Sequence, residues 1–516
     1  MSRFVGLVLL AGLLIGSLAA FGADKPLIIG TIDSVDELSF ANSWDMYSWH
    51  VLRATCDALL KLNDDTLELE GAIAQSWDVS DDGTIYTFHI RPGIVFTDGT
   101  ACDANAVKYS LDRTRRQDGP KGAVSLIYVI NTITVLDPLT VQITLKQPDV
   151  TFLLAMTNQI APAMIYSQAS APGDEFDRGR YAGCGPYKLV EFVPDQYVRY
   201  EANPTYYGKQ PASKYVIERH YSDAAALRAA IESGEVDVAF RTLNPEDITD
   251  LKSNPQVVIE SWPPSPGIRY LLFNVTNPPV DNPFVRQAIC YAVDRSAIVS
   301  QVFGGTVLPI YTMVPNVDPP FFGALPTFPE RDLAKARELL ATVGYNEQHP
   351  LVLSLPYTPS HYGTFEADVA TVIAASLEET GVIHVNIEAL EWGAYLDQMS
   401  SGAFGMYLLG WHPDYLETSN FLGPWTTDGP ESMGTYFDHH PNYQAYKDIM
   451  DVARATVDTV KRGKLYEAIQ ILSTQDVPWI PLWSMTDEMV TARLPNVHGV
   501  KLDVTMDIDI WNIYKD

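Results

Sequence analysis

Apolar and polar positions follow helical spacing in some stretches of the chain and strand spacing in others, which predicts a mixed α/β protein. Leu27 to Thr31 is a short apolar run that predicts a strand. Apolar residues recur at helical spacing from Asp45 to Leu62, which predicts a helix. From Trp77 to Phe96 the pattern alternates around Asp81-Asp82-Gly83, which is typical of a β-hairpin.

The same interleaving of helix and strand signals continues further along the chain. Ala104 to Asp112 predicts a helix, and Ile133 to Leu136 with Thr140 to Leu145 predicts a second two-strand unit. Asp223 to Ser233 predicts a capped helix that ends at Gly234. No tandem repeat is visible, so the pattern indicates an α/β architecture rather than a repeat array.

Length and charge narrow the class of protein. The chain has 516 residues, 47% hydrophobic and 19% charged, which is typical of a folded globular protein. Single cores usually stop growing beyond about 250–300 residues, so we expect at least two lobes. The formal net charge of −29 argues against a nucleic-acid partner, because that affinity comes mainly from cations that neutralise phosphates.

The first residues have the pattern of a secretory signal. Arg3 precedes an apolar run from Phe4 to Ala20, and small residues follow at Gly22 and Ala23. We therefore predict a signal peptide at residues 1–22 that is cleaved after Gly22. Because no Cys follows the apolar run, a soluble periplasmic protein is a simpler prediction than a lipid-anchored one.

Four cysteines, Cys56, Cys102, Cys184 and Cys290, are spaced too widely for a C-x-x-C redox or zinc site. They allow three disulfide pairings, which the sequence cannot rank, or they are small core residues. No cofactor and no metal site are predicted.

The sequence contains no complete motif of the enzyme classes that we considered. Gly183-Cys184-Gly185 contains G-x-G, but Pro186 and the strand-like residues after it exclude the helix that a dinucleotide site requires. The chain has no G-x-S-x-G, H-E-x-x-H or P-loop motif. We therefore predict that the protein is not an enzyme, and an exported hydrolase with an Asp/Glu pair stays as the alternative from another class.

A series of ordered motifs carries a resemblance over nearly the whole mature chain. The motifs are Ala72 to Trp77 with Asp81-Asp82-Gly83, Arg91-Pro92-Gly93 and Asp98-Gly99; Gly185 to Leu189; Asn203-Pro204 with Tyr207-Gly208; Ser233 to Asp237; Phe273-Asn274 with Val285 to Ala288; Tyr291 to Arg295; Asp332 to Leu340 with Gly344-Tyr345; and Pro478 to Leu482. In this order they resemble the peptide/nickel-type solute-binding proteins of ABC importers, the family 5 that includes oligopeptide- and dipeptide-binding members.

This resemblance implies a fold and a division of the chain. The fold is the two-lobed periplasmic-binding-protein fold of type II, in its large cluster with an extra subdomain in lobe I, and it encloses the ligand between the lobes. Lobe I would comprise residues 23–268 and 481–516, with the inserted subdomain at about 50–180. Lobe II would comprise residues 269–480. The chain would cross between the lobes near Tyr270 to Asn274 and near Pro478 to Asp487.

The resemblance also places a ligand-binding residue in the stretch from Gly410 to Leu422. This stretch resembles the part of oligopeptide-binding members in which an aspartate after a Gly-Trp pair binds the α-ammonium group of a peptide, and Asp414 matches that position. A carboxylate in a closing cleft provides a charge-assisted hydrogen bond for such a group. The alternative is that Asp414 only stabilises the turn at Pro413 or caps a short helix.

Aromatic and imidazole side chains complete the predicted site and leave the ligand open. We include Trp411, His412, Tyr415 and Trp425, which lie near Asp414 in the sequence, and Trp44, because the loop after the first strand faces the cleft in this architecture. Tryptophans are also a stacking surface for sugars, so an oligosaccharide stays as an alternative ligand. A nickel or other metal chelate at His412, His439 and His440 is less favoured, because adjacent histidines usually point in different directions.

The function that these features predict is the periplasmic substrate-binding component of an ABC transporter. It would be a monomer that captures an oligopeptide or dipeptide by closure of its two lobes and delivers it to the permease subunits in the inner membrane. Peptide length and side-chain preference do not follow from the sequence.

Overall fold

The computed structural model of the chain describes most of the sequence after the predicted signal peptide. The described ranges are 25–35, 37–43, 45–63, 65–117, 123–175, 179–241, 243–261, 267–315, 327–359, 361–363, 365–429, 431–484, 491–503, 505 and 507–516. The predicted signal peptide at residues 1–22 and the predicted site residue Trp44 lie outside these ranges.

The strands are numbered in chain order. They are β1 Leu27–Thr31, β2 Leu60–Leu62, β3 Leu69–Gly71, β4 Ala74–Val79, β5 Ile85–Ile90, β6 Ile130–Asp137, β7 Thr140–Leu145, β8 Tyr187–Val193, β9 Tyr197–Ala202, β10 Tyr215–His220, β11 Val238–Ala239, β12 Val258–Glu260, β13 Ile268–Phe273, β14 Leu351–Tyr357, β15 Ile383–Ala389, β16 Met406–Trp411, β17 Trp479–Ser484, β18 Thr491–Arg493, β19 Val497–His498 and β20 Tyr514–Lys515.

The α-helices are numbered in the same way. They are α1 Met46–Thr55, α2 Ala104–Gln117, α3 Phe152–Ala155, α4 Ala224–Ser233, α5 Pro245–Leu251, α6 Pro283–Ala292, α7 Arg295–Ala297, α8 Leu333–Thr342, α9 Glu366–Glu378, α10 Trp392–Ser400, α11 Ser419–Thr426, α12 Tyr443–Ala455 and α13 Thr459–Asp476. None of the helices in the described ranges combines the length and the apolar composition that a membrane crossing requires.

Two lobes with separate hydrophobic cores form the molecule. The first lobe contains a seven-stranded sheet of order β12-β18-β11-β1-β10-β9-β8 and an antiparallel sheet of order β4-β5-β7-β6. The second lobe contains β13 to β17, as a three-stranded sheet of order β16-β13-β17 and the parallel pair β14-β15. Buried hydrophobic side chains form one large cluster in each lobe. The predicted α/β class and the strand at Leu27–Thr31 are confirmed.

The antiparallel four-stranded sheet forms as the alternating pattern predicts. β4 and β5 pair across the turn at Asp81 to Gly83. Tyr86, Phe88 and Ile90 point to the buried side of β5, whereas the residues between them are partly exposed. This sheet lies within residues 74–145, inside the range of about 50–180 predicted for the inserted subdomain.

In the described part of the chain, the strands change from one lobe to the other at two places. β12 belongs to the first lobe and β13 to the second, so one passage lies between Glu260 and Ile268. β17 pairs with β13, and β18 pairs with β11 in the first lobe, so the other passage lies between Ser484 and Thr491. The predicted boundary at residues 480/481 falls inside β17, and we propose a boundary after Ser484 because the whole strand pairs with β13.

The helix predicted from Asp45 to Leu62 is shorter in the structure. Asp45 caps α1 by accepting a hydrogen bond from the Ser48 backbone N–H, and the helix ends at Thr55. Asp57 then forms a bridge to Ile165, and Leu60–Leu62 becomes β2. Pairing with a distant segment therefore outweighs the helical spacing of the apolar residues in this stretch.

Gly183 and Gly185 have a packing role that accounts for the G-x-G motif. A Cβ atom on Gly183 would lie 2.1 Å from the carbonyl oxygen of Thr55, and one on Gly185 would lie 2.6 Å from the Thr55 carbonyl carbon. These glycines therefore let two backbone segments approach each other closely. All four cysteines are buried and none forms a disulfide in the structure, although the side chains of Cys102 and Cys184 are in hydrogen-bonding contact.

Helix α1 is joined to the C-terminal segment by a buried cluster of charges. His50 lies between two carboxylates, with its Nδ1 2.6 Å from Asp507 Oδ1 and its Nε2 2.7 Å from Glu218 Oε1. Arg53, one turn later, donates to Asp503 and to Asp509. This cluster, which we call the His50 cluster, ties the first helix to residues 503–509.

Candidate functional site

Charged or imidazole side chains follow the carboxyl ends of two strands in each lobe, at the region where the lobes meet. In the first lobe, β1 is followed by Asp33, and its parallel neighbour β11 is followed by Arg241. In the second lobe, β14 is followed by the loop with His361, and β16 is followed by His412. Ligands of open α/β sheets bind outside the carboxyl ends of strands, so this region is the candidate site.

The wall from the first lobe contains one buried cation and two carboxyl groups. The Arg241 side chain donates from Nε to Asp33 Oδ2 at 2.5 Å, and its Nη1 contacts the Met46 sulfur at 3.2 Å. Arg241 has a left-handed backbone with φ of 39°. Asp45 lies nearby with its Oδ2 buried and without a hydrogen-bond partner in the part of the chain that the structure describes, and burial raises the pKa of its carboxyl group to about 6.

The wall from the second lobe is built around Asn420. Its side-chain oxygen accepts from the Asp414 backbone N–H at 2.9 Å and from the Trp411 indole at 3.2 Å. Its amide nitrogen donates to Asp414 Oδ2 at 2.9 Å. Asn420 therefore fixes the orientation of both predicted residues, although it was not part of the predicted site.

Gly410, which precedes Trp411, lies so close to its neighbours that a side chain does not fit there. A Cβ atom at this position would lie 2.8 Å from Nη1 of Arg269 and 2.9 Å from the ring of Tyr362. The Tyr362 hydroxyl accepts a hydrogen bond from the Gly410 backbone N–H at 3.0 Å. Arg269 stacks over Tyr362 at 3.6 Å and forms a buried ion pair with Glu366. Arg269, Tyr362 and Glu366 therefore form a packed layer that supports the Gly-Trp pair.

Two histidines of the second lobe are neutral in this region. Burial, with the nearby charges of Arg241 and Arg269, lowers the pKa of His412 to about 3. Burial and the same two arginines lower the pKa of His361 to about 3, and its ring stacks on Trp392 at 3.7 Å. Both ring nitrogens of His412 are buried and have no hydrogen-bond partner among the described residues. His412 can therefore offer one N–H and one acceptor to a bound molecule.

The other predicted aromatic residues differ in their position. Tyr415 is 6% exposed and contacts Thr151 of the first lobe, so it lies where the two lobes touch. Trp425 is fully buried and packs edge-to-face on Trp411 with ring centroids 5.3 Å apart. A ligand cannot reach Trp425 in this arrangement, because the ring lies in the core behind Trp411.

Contacts around Arg454 join the two lobes beside the site. The Val150 backbone N–H of the first lobe donates to the Arg454 carbonyl oxygen at 2.8 Å. The Arg454 guanidinium forms an ion pair with Asp428 at 2.8 Å and lies close enough to Tyr128 and Asp149 to affect their pKa values. We call these residues the Arg454 bridge. In this structure the lobes are in contact, as in a closed state.

The described residues contain no group of three or more His, Cys, Asp or Glu side chains that could hold a metal ion. His440 stacks on Phe437 at 4.6 Å, and the side chain of His439 is mostly exposed. The pair therefore does not converge with His412.

Comparisons with known proteins agree on one family. Residues 68–433 match the model described as bacterial extracellular solute-binding proteins, family 5 Middle. The chain is 32% identical over 494 residues to the glutathione-binding protein of Escherichia coli (strain K12), covering 93% of this chain and 92% of that protein. It is 28% identical over 440 residues to the dipeptide-binding protein of the same strain, covering 80% of each.

A solved structure shares the fold. The dipeptide-binding protein from Pseudoalteromonas sp. SM9913 in complex with Met-Leu superposes with a TM-score of 0.86 at 22% identity, covering 95% of this chain and 100% of that one. The two-lobed fold is thereby confirmed.

Proposed function

Because the chain belongs to family 5 of the bacterial extracellular solute-binding proteins, we propose that it is the substrate-binding component of an ABC importer and that its ligand is a small peptide. The peptide is captured between the two lobes, which close around it. A ligand that contacts both lobes favours the closed state by its differential affinity for that state. Closure is the signal that the permease senses.

The observation that carries the peptide proposal is the placement of Asp414. Asp414 as a residue is 8% exposed and lies just after β16 at the region between the lobes, and its carboxyl group is oriented by Asn420. A carboxylate in such a site binds a ligand ammonium through a charge-assisted hydrogen bond. An oligosaccharide has less support, because Trp425 lies in the core and cannot be a stacking surface.

Location and partners are part of the same proposal. The protein acts in the periplasm after cleavage of residues 1–22, as a monomer, and delivers the peptide to the permease subunits in the inner membrane. It releases its ligand chemically unchanged, without a cofactor and without catalysis. Incubation of Met-Leu or glutathione with the purified protein should therefore return intact peptide, as measured by mass spectrometry.

Replacing Asp414 by Asn should weaken peptide binding about tenfold to hundredfold, because a charge-assisted hydrogen bond contributes roughly 1.5–3 kcal/mol. The measurement is calorimetry with Met-Leu and with glutathione. N-acetylation of the same peptides should produce a similar loss on the wild-type protein, since it removes the ammonium group.

A matched control for this experiment is Asp368→Asn, which makes the same change at an exposed position of α9 in the same lobe. It should leave affinity unchanged. If neither Asp414→Asn nor N-acetylation changes the dissociation constant by more than about twofold, which is well below the charge-assisted range, Asp414 does not bind an ammonium group.

Replacing Arg454 by Met should weaken binding of the same peptides about fivefold, because its guanidinium hydrogen-bonds to Tyr128 of the first lobe and a typical intramolecular hydrogen bond contributes about 1 kcal/mol. Lys447→Met on the same helix, where Lys447 pairs with Asp451 at the surface, is the control. Calorimetry at one temperature compares the two variants. Equal affinities for both variants would show that the bridge does not stabilise closure.

A further inference from the structure

Three of the four cysteines lie in the core of the first lobe, and two of them are in contact. Cys102 is 3% exposed and Cys184 is 1% exposed, and both belong to the same hydrophobic cluster. Their thiols are in hydrogen-bonding contact. Cys290 lies in the core of the second lobe, where its sulfur accepts from Arg295 Nη2 at 3.9 Å. The disulfide pairings that the sequence allows are therefore not equivalent in the structure.

Hydrogen bonds hold the segments before Cys102 and Cys184 beside each other, directly or through Ser167. They join the Thr97 backbone N–H to the Gly183 carbonyl oxygen at 3.0 Å, the Thr100 and Ser167 hydroxyls at 2.9 Å, and the Ser167 backbone N–H to the Ala182 carbonyl oxygen at 2.9 Å. The turn that contains both threonines is closed by the Cys102 backbone N–H, which donates to the Ile94 carbonyl oxygen at 3.0 Å. Backbone pairing therefore brings the two cysteines together.

The direction of the Cys184 side chain decides which cysteine it contacts. A Cβ atom on Gly183 would lie 2.4 Å from the Cys56 sulfur, and one on Gly185 would lie 2.7 Å from the Cys56 backbone nitrogen. Both glycines therefore face Cys56. Neighbouring residues of an extended, bridged segment point to opposite sides, so Cys184 points away from Cys56 and toward Cys102.

We propose that Cys102 and Cys184 form a disulfide in the exported protein, and that this bond joins the inserted subdomain to the seven-stranded sheet and stabilises the first lobe. Cys102 precedes α2 in the subdomain, and Cys184 precedes β8 at the edge of the sheet. Thiols in contact need only side-chain rotation to reach the bonding distance of about 2.05 Å. The inference goes beyond ligand binding and rests only on the proposed location, because disulfides persist in oxidising compartments.

The reaction is a thiol–disulfide exchange with a disulfide donor. One cysteine thiolate attacks a sulfur of the donor, which forms a mixed disulfide and releases one donor thiolate. The second cysteine thiolate attacks the protein sulfur of the mixed disulfide, which forms the bond between Cys102 and Cys184 and releases the second donor thiolate. The two thiol protons pass to the released thiolates, and the donor is reduced by two electrons.

Burial determines when this reaction can occur. The hydrogen bond with Cys102 and burial raise the pKa of the Cys184 thiol well above its ordinary value. Because the thiolate is the reacting species, the packed lobe reacts slowly with a donor. The exchange therefore takes place while the chain folds, before both sulfurs are covered.

The test compares two samples of the exported protein that are refolded from denaturant. One is refolded with bis(2-hydroxyethyl) disulfide, a neutral donor that does not resemble a peptide ligand, and the other with dithiothreitol. Mass spectrometry of peptides from the first sample, without reduction, should identify Cys102 linked to Cys184. The first sample should also melt at least about 4 °C above the second, because a disulfide that closes a long loop disfavours the unfolded state.

Substitution of single cysteines provides the controls. Cys102→Ser and Cys184→Ser should each abolish the difference in melting temperature between the two refolding conditions. Cys290→Ser makes the same change at a buried position of the second lobe and should keep the difference. Each comparison is made within one variant, so a lower overall stability of a variant does not affect it, and peptide mapping of the wild type needs no variant.

The outcomes distinguish this inference from the proposed function. Four unlinked thiols in the sample refolded with the donor, a linkage of Cys56 to Cys184, or equal melting temperatures of the two wild-type samples would each overturn the disulfide. Calorimetry of both samples with Met-Leu tests the peptide function separately. Absence of peptide binding would overturn that function and would leave the mapped linkage unchanged.

Discussion

Replacement of His50 by Phe lowers the free energy of unfolding by about 3–5 kcal/mol, the range for removing one partner from a buried ion pair. Burial lowers the pKa of His50, but the carboxylates of Asp507 and Glu218 outweigh this effect and raise it to about 10. His50 is therefore charged in the folded protein. The substitution leaves Glu218 and Asp507 buried without this cation, and urea unfolding monitored by circular dichroism measures the loss.

The raised pKa of His50 predicts that the protein loses stability as the pH rises. The folded pKa of His50 lies above its ordinary value of 6.5, so the protonated imidazole stabilises the fold fully below about pH 6.5. This contribution is lost as the pH rises from about 6.5 to about 10. The wild type should therefore lose stability over this window, and His50→Phe should lose less.

His89→Phe is the control for the His50 experiment. His89 pairs with Asp78 on the surface of the four-stranded sheet, and its side chain is 38% exposed. Exposed pairs contribute about 0–1 kcal/mol, so this variant should unfold close to the wild type. A His50→Phe protein as stable as His89→Phe would mean that the His50 cluster does not hold the C-terminal segment to α1.

Replacement of Arg286 by Met is expected to lower the free energy of unfolding by about 3–5 kcal/mol, because each buried polar group left unsatisfied costs about 1–3 kcal/mol. The fully buried guanidinium donates to the backbone carbonyls of Val280 and Asp281 before α6 and of Asp476 at the end of α13. Burial lowers the pKa of Arg286 to about 10. Urea unfolding measures the change.

Arg337→Met tests whether the burial of Arg286 causes the loss of stability expected for Arg286→Met. Arg337 also donates to two backbone carbonyls, those of Thr380 and Glu379, but at an exposed position of α8. Water can satisfy these carbonyls in the variant, so we expect a loss of about 1 kcal/mol or less. Similar losses for Arg286→Met and Arg337→Met would refute the argument from burial.

Local signals predicted those elements whose boundaries depend on neighbouring residues. The helix at Ala224–Ser233 was predicted with both its ends, because Asp223 accepts from the Ala226 backbone N–H and Gly234 takes a left-handed φ of 72°. The helix after Asp45 was predicted too long, because its end is set by pairing of Asp57 with Ile165, more than a hundred residues away. The spacing of apolar residues in one stretch does not predict such a long-range contact.

The candidate site was predictable only in its second-lobe part. Asp414 and Trp411 were predicted as site residues because one continuous stretch resembles a family motif. Arg241 follows a two-residue strand, too short to give a pattern, and its meeting with His412 depends on how the lobes approach each other. The available signal was a charged residue after the apolar run Val238 to Phe240, since carboxyl ends of strands are favoured ligand positions.

The position of β18 determines the order in which the two lobes can complete folding as the chain is synthesised. This strand lies between β11 and β12 inside the seven-stranded sheet, and Leu502, Ile508 and Ile510 pack into the same core as the N-terminal residues. The first lobe therefore stays incomplete until β18 and residues 502–510 have been synthesised. The second lobe is one continuous segment between β13 and β17, so it can fold earlier. The lobe that starts first is finished last, and until then its open sheet has unpaired strand edges that chaperones and proteases can recognise.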